Sequence, residues 1–210
     1  MCSSDLAEPV EAVQDVVPPG AGPDRLEAAT FRLVEARGRY LVDEEVFVRS
    51  RSLDGRPGAW VLTPLVLDGT ADGAVPLAVV VNRGWIPAID TTPDLPAGAE
   101  APSGPVVVTG LALPGEHRGS FGSVDVEGAD LRVLARVDLD RLQEQVEPSL
   151  LGVYLQLQDQ QPAEPGALPA VVPPPPPDEG PHRSYAGQWA IFAVLWVGGY
   201  PLLVRRAALR

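Results

Sequence analysis

The chain has 210 residues with 16 basic and 28 acidic side chains, a formal charge of −12 that argues against nucleic acid as a partner. Every basic residue is Arg, which with abundant Ala, Gly, Pro and Val points to a GC-rich coding sequence. Gly (21) and Pro (24) disfavour long soluble helices, and the single cysteine, Cys2, excludes an intrachain disulfide, a Cys-only zinc site and an iron–sulfur cluster.

Residues 1–24 carry no strong periodicity and are taken as a lead to the folded body. Leu26 to Val48 alternates like a strand, with Phe31 and Leu33 on one side and Arg32 and Val34 on the other. Gly38 is expected to break this strand, and YLVDEEVFVRS resumes as a second. The turn-rich Ser52–Gly58 is a hairpin loop, Trp60–Leu67 a third strand, and Asp68–Pro76 another loop. Leu77–Pro87 is a fourth strand, apolar up to Asn82 and therefore expected to be buried on both faces. Pro105–Leu113 is a fifth, and Leu131–Val137 a further candidate. Asp138 or Asp140 caps a short helix that places Leu139, Leu142 and Val146 near one face and ends at Pro148. Leu151–Gln158 alternates as a last, half-buried strand.

The body, residues 25–160, is thus mainly β (α+β): a small twisted β-barrel or sandwich of about six to seven strands with one short helix. Residues 161–181 follow as a proline-rich linker in which Pro173 to Pro177 enforce polyproline II. That segment suits a stiff spacer or an SH3-type ligand.

Ser184 to Val204 then runs 21 residues without a charge, roughly 30 Å as a helix and enough for a bilayer's hydrocarbon core. Residues 182–206 are read as a transmembrane helix with Tyr185 and Trp189 at one interface, and 207–210 as a short tail. Four arginines and no acid follow Pro181, so residues 1–181 carry −16. Arg205, Arg206 and Arg210 directly after the span put the C-terminus in the cytoplasm and the acidic body outside it. Export requires a signal, yet MCSSDLAEPVEAVQDVV has neither a basic n-region nor an apolar h-region. A first anchor upstream of this chain is the expectation; the alternative is a cytoplasmic body.

Three segments together, RSRSLDGRPGAWVLTPL (Arg49–Leu65), VVVNRGWIP (Val79–Pro87) and GPHRSYAGQWAIFAVLWVGGYPLLVRR (Gly180–Arg206), resemble in order and spacing the Surfeit locus protein 1 family of cytochrome c oxidase assembly factors. The resemblance covers roughly residues 25–206 and, with the Arg-only composition, is to an actinobacterial member. It implies a non-enzymatic, extracytoplasmic β-domain at the bacterial plasma membrane that helps place haem a in oxidase subunit I, in contact with that subunit, the haem a synthase and the lipid bilayer. The family's first transmembrane helix is absent from this chain, in line with the missing export signal.

His182, Tyr185 and Trp189 are spaced i, i+3, i+7 and share one helical face. The resemblance makes His182 the ligand of haem iron and the aromatic pair a seat for the macrocycle; otherwise His182 is an interfacial polar residue and the pair are membrane anchors. Arg83 can pair with a haem propionate or a partner carboxylate. Structurally, Asn82 and Gly84 set a bend, Trp85 fills the core and Arg83 pairs with a local acid. Acid runs such as Asp43–Glu45 read as solvated edges, and Gly55, Gly58 and Pro64 as turn and strand-edge geometry. Two rivals stand beside the haem reading: an oxidase-subunit chaperone that never touches haem, and a membrane-anchored hydrolase, which would need His117 and lacks a G-x-S-x-G elbow.

Overall fold

The structure, a computed structural model, describes residues 10–69, 75–87, 94–117, 132–174 and 182–208, without the side chains of 182–184, 186, 199–204 and 208. It divides into a unit ending at Pro174 and a unit beginning at Pro175. In chain order the elements are β1 (Glu11–Ala12), α1 (Val13–Val16), α2 (Pro23–Ala29), β2 (Leu33–Tyr40), a 3-10 turn (Val42–Glu44), β3 (Val46–Leu53), β4 (Arg56–Leu67), β5 (Leu77–Pro87), β6 (Val106–Pro114), β7 (Val133–Leu134), α3 (Leu139–Gln143), β8 (Ser149–Gln161) and α4 (His182–Ala208).

The first unit is built on a closed barrel. β2 pairs with β6, β6 with β8, β8 in parallel with β5, β5 with β4, and β4 closes the ring on β2 through Gly38↔Leu67, Arg39↔Val66 and Tyr40↔Leu65. This is a five-stranded Greek-key closure of the kind OB-folds use, and it leaves no bare edge on those five strands. β3 extends β4 outside the ring, and the short β7 and β1 flank β3 and β2.

Closure depends on one residue. At Gly38, β2 leaves β6 and passes to β4, and a Cβ there would lie 1.8 Å from the Val66 carbonyl oxygen. Only a residue without a side chain lets the two backbones meet. Gly38 is therefore the closure point inside a continuous strand, and the break expected there falls instead at the 3-10 turn. Pro64 fits the same logic. β4 pairs with β3 up to Leu62 and with β2 from Leu65, so Pro64 lies in the gap where no N–H is needed, and its carbonyl accepts the Leu41 N–H at 2.8 Å.

Val34, Ala36, Leu65, Val79, Val81, Val108, Val153 and Leu155 belong to the main core, which also buries Val13, Val16 and Val17 of α1 and its exit. The N-terminal segment from residue 10 is thus core rather than lead. A four-residue helix is too short to show periodicity, which is why it reads as unstructured. Leu26–Ala29 likewise belongs to α2 and not to a strand: Pro23 starts the helix after Gly22, and Asp24 sits in its first turn. A second cluster packs Val48, Leu62, Val80, Leu134 and Tyr154 beneath α3, whose cap is Asp138, its carboxylate accepting the Arg141 N–H at 3.2 Å. The strand expected over 131–137 shrinks to two residues. β5 keeps its expected span and is buried along almost its whole length, whereas β8 runs longer than expected and is buried on both faces because barrel and α3 cover it from either side.

The largest correction concerns the segment after β8. Residues 162–174, taken as the start of a free strut, are bonded to the barrel: Ala170 and Trp85 exchange two backbone hydrogen bonds of 2.8 Å, and Gln156 Nε2 donates to the carbonyls of Val172 (2.9 Å) and Pro173 (2.8 Å). Its proline content suggests a spacer; its carbonyls, which proline retains, are what the barrel binds. The rest of the proline run lies outside the described residues.

In the second unit α4 spans 27 residues, so the expected helix is present. Its longest run of described side chains is Gly187–Gly198, twelve residues against the ~20 of a crossing. Among the described residues no helix is long and apolar enough to cross a membrane, and the transmembrane reading is not carried by the fold itself.

Gly38→Ala should destabilise the barrel by about 3 kcal/mol or more, because two paired backbones must separate. Urea unfolding of the full chain in detergent, followed by tryptophan fluorescence, checks this against Gly104→Ala in the loop before β6, where an added Cβ meets nothing within 4 Å and φ is not positive.

Candidate functional site

β5 carries the sequence V-N-R-G-W across a bulge. The β4–β5 ladder steps from Val61↔Gly84 to Leu62↔Asn82, which leaves Arg83 as the extra residue and turns its side chain out of the alternation. Gly84 makes this possible: its φ is +144°, and a Cβ would lie 2.5 Å from the Ala170 carbonyl oxygen. The Asn82 side-chain carbonyl accepts the Gly84 N–H at 3.2 Å and fixes the bend.

Arg83 is fully buried. Its guanidinium forms a side-on pair with Glu164, Nε to Oε1 at 3.0 Å and Nη2 to Oε2 at 2.9 Å. Nη1 donates to Glu45 Oε2 at 2.9 Å and Nη2 to the Ala99 carbonyl at 2.7 Å. The Tyr40 ring lies 5.7 Å away as a cation–π partner. Two carboxylates against one guanidinium leave an excess negative charge, which the Thr63 hydroxyl meets by donating to Glu45 Oε2 at 2.7 Å. The Tyr40 hydroxyl donates to Gln160 Oε1 at 2.6 Å. Burial raises the Tyr40 phenol far above its ordinary value against the pull of Arg83, and Glu164 and Glu45 add to the rise.

Beside this plug, Trp85 is buried, and its indole N–H donates to the Arg51 carbonyl at 3.0 Å. The Arg51 guanidinium stacks 4.1 Å above the centre of the Trp60 ring and pairs with Glu116. Burial pushes the nearby Tyr154 phenol up to about 12, with Glu116 adding and Arg51 opposing.

The structure places the sequence candidates in two separate units. Arg83 has its bonds spent inside the barrel on acids 38 and 81 residues away in the chain, not on a local one. Glu45, read as a solvated edge, is one of those partners, with its side chain only 11% exposed. Glu164 hid in a stretch whose composition suggests a linker. The signal available was a single acid between prolines, in Q-P-A-E-P-G, where a spacer has no need of one. Tyr40 and Gln160 carried no motif at all.

His182, Tyr185 and Trp189 lie on α4. The described Tyr185 and Trp189 side chains are exposed. Continued at the same spacing, the face runs His182, Tyr185, Trp189, Phe192, Trp196, a stripe of one imidazole position and four aromatics. Trp189 and Phe192 meet edge to face with ring centres 6.1 Å apart, and with Ala193, Leu195 and Trp196 they line an apolar groove. Four of the five N–H groups of Arg83 are engaged within the first unit, on Glu164, Glu45 and the Ala99 carbonyl. Among the described residues no three His, Cys, Asp or Glu side chains gather as a metal site.

A closed barrel with a buried arginine plug, followed by a helix with exposed apolar side chains, defines a small mainly β protein with no His, Cys, Asp or Glu metal cluster among the described residues. The chain belongs to the SURF1 family, which it matches over residues 2–194. It is 30% identical over 169 residues to uncharacterised SURF1-like proteins of Mycobacterium bovis and Mycobacterium tuberculosis, covering 80% of this chain and 57% of theirs. It is 33% identical over 78 residues to the yeast cytochrome oxidase assembly protein SHY1, covering 37% of this chain and 19% of that one. The chain thus spans a little over half the length of its mycobacterial relatives.

Arg83→Met leaves two buried carboxylates uncompensated and should cost about 3–5 kcal/mol in urea unfolding, while the triple change Arg83→Met, Glu45→Gln, Glu164→Met should recover most of it. If the triple variant were no more stable than the single one, the charge balance would not be what holds the plug. Alkali tests the phenols. In an unfolded chain Tyr154 ionises near its ordinary 10.0, and in the fold only near about 12. Stability is therefore intact below pH 10 and falls as pH rises through that window. Tyr154→Phe should unfold less readily at pH 11 than the parent chain and no differently at pH 8.

Proposed function

We propose that the chain is the β-domain and C-terminal anchor of a cytochrome c oxidase assembly factor that holds haem a briefly on its way to subunit I. The observation that carries this reading is the family membership over residues 2–194, together with the yeast relative's naming as a cytochrome oxidase assembly protein. α4 supports the anchor. Its described apolar side chains, among them Trp189 (70% exposed), Val194 (71%) and Val197 (77%), have no cover within their own unit, and Ser184 to Val204 carries no charge. In this reading the positive-inside rule, applied to Arg205, Arg206 and Arg210, assigns the C-terminus to the cytoplasm and the acidic barrel to the outer face of a bacterial plasma membrane.

In this reading His182 supplies the axial nitrogen at the water-facing end of the stripe, while Tyr185, Trp189, Phe192 and Trp196 offer the ring and its lipid-like tail an apolar face. Haem would supply the colour and the cargo; the chain's residues bind, orient and release. Arg83 belongs to the scaffold. The partners are subunit I, the haem a synthase and the bilayer, and the chain carries out no reaction of its own.

Expression in a bacterium deleted for its own family member tests both parts. The parent chain should restore oxidase activity in membranes and co-purify with a haem visible spectrum, and His182→Ala should lose that spectrum and most of the restored activity. A parent chain that restores the oxidase without any haem spectrum would leave a chaperone of an oxidase subunit in place of a haem carrier. One that fails to restore it would remove the assembly reading.

A further inference from the structure

Among the described residues of the first unit, six large apolar side chains are exposed: Val10 (40%), Phe31 (61%), Leu33 (45%), Val42 (50%), Val75 (65%) and Val171 (52%). Three of the six, Val10, Phe31 and Leu33, gather where β2 begins, and a row across β6 and β8 leads from them to the segment that carries Val171. Leu33 is in register with Leu111 and Leu111 with Gln156, so these three side chains share the outer face of β2, β6 and β8. Glu11 is in register with Val34, which puts Val10 beside Leu33. At the other end of the row Gln156 holds the Val172 and Pro173 carbonyls, with Val171 next to them. The row thus begins where the described chain comes in and ends where it leaves the unit.

Phe31 adds an independent observation. α2 ends at Ala29 with Thr30 as its cap, and Phe31 takes the next position with φ +63°. That left-handed position at a helix end favours Gly or Asn, and a bulky aromatic there is strained. Its backbone N–H donates to the Ala112 carbonyl at 2.8 Å, which holds the conformation, yet its ring is mostly in water. Neither local conformation nor core packing asks for an aromatic at this point. What remains is contact outside the unit.

We propose that Phe31, Leu33, Val10 and Val171 form a foot that sits in the headgroup region of a phospholipid bilayer. The proposal rests on the membrane-anchored reading of α4 given above. Only the seven residues 175–181 separate Pro174, at the exit end of the row, from the first residue of α4 in the sequence. An acidic body of charge −16 is repelled by anionic headgroups, so its contact has to be apolar and local, and an aromatic flanked by aliphatic side chains suits that depth. Arg32, between Phe31 and Leu33, is paired with Glu11, so the foot presents no net charge of its own.

The test uses the full chain in vesicles of phosphatidylcholine and phosphatidylglycerol doped with nitroxide-labelled lipid. In a Cys2→Ser background a bimane label is placed in turn at Phe31→Cys, Leu33→Cys, Val42→Cys, Val75→Cys and Leu195→Cys. Labels at 31, 33 and 195 should be quenched by the lipid roughly twofold or more over those at 42 and 75. Phe31→Gly should keep or raise the stability of the fold while lowering the quenching at 33. A quenched label at 195 with 31 and 33 left in water overturns the foot alone. Equal quenching at 42 and 75 also overturns it, as does shielding of 31 and 33 from an aqueous quencher without lipid quenching, the mark of a protein partner. An unquenched label at 195 overturns the membrane reading itself and the foot with it.

Discussion

A guanidinium cut off from water costs several kcal/mol to bury, and the barrel is organised around meeting that cost. Arg83 draws Glu45 from the turn before β3, the Ala99 carbonyl from the loop before β6, and Glu164 from the segment after β8 onto a single group, with the Tyr40 ring of β2 alongside. No apolar side chain could gather these segments in this way, since carboxylates and a carbonyl need a donor with several N–H groups in a fixed fork. The arrangement also explains why the bulge is needed. In unbroken alternation, position 83 would follow the pleat of its neighbours; as the extra residue at the bulge, it points where the acids are.

The same bulge fixes the end of the unit. Gly84 comes so close to Ala170 that any side chain would push the segment away, and the two-bond bridge between Ala170 and Trp85 forms directly beside it. Trp85 in turn holds the β3 backbone through its indole N–H. A short run, Asn82 to Trp85, therefore bends the strand, seats the arginine, docks the chain's exit and ties in the β3–β4 hairpin. That concentration of roles accounts for a motif this specific in a strand that otherwise needs only to be apolar.

Much of this was legible in the sequence where the physics is local. Leu77–Pro87 reads as a doubly buried strand because an apolar run up to Asn82 has few other uses, and Asp138 or Asp140 reads as a cap because a carboxylate before a helix has an obvious partner. The partners of Arg83 were not legible, because a pairing between residues 38 and 81 apart leaves no spacing to detect. Gly38 misled for a related reason: glycine in a strand signals either an end or a close approach, and only the position of β4 decides between them. The segment 162–174 misled by composition, since proline reports on the chain's own backbone and not on what its carbonyls bind. On α4 the stripe from His182 to Trp196 was half visible, and the helix extends it by two aromatics at the same spacing.

The two units treat side chains in opposite ways. The first unit buries an arginine, a tyrosine and two glutamines and nearly buries the two glutamates that pair with the arginine, while the described side chains of α4 leave tryptophans, a phenylalanine and aliphatic groups uncovered. A chain in water alone would gain by the reverse: apolar surface of that extent costs free energy in proportion to its area, and a charged plug is no more stabilising than a well-packed apolar one. The inversion makes sense if water is not the only solvent. A helix whose apolar groups are met by lipid has nothing to bury. A rigid polar plug keeps the exit of the first unit in one place where a looser apolar core would let it drift. Arg83 thus fixes where the chain leaves the first unit, while the second keeps its apolar stripe on the surface of α4.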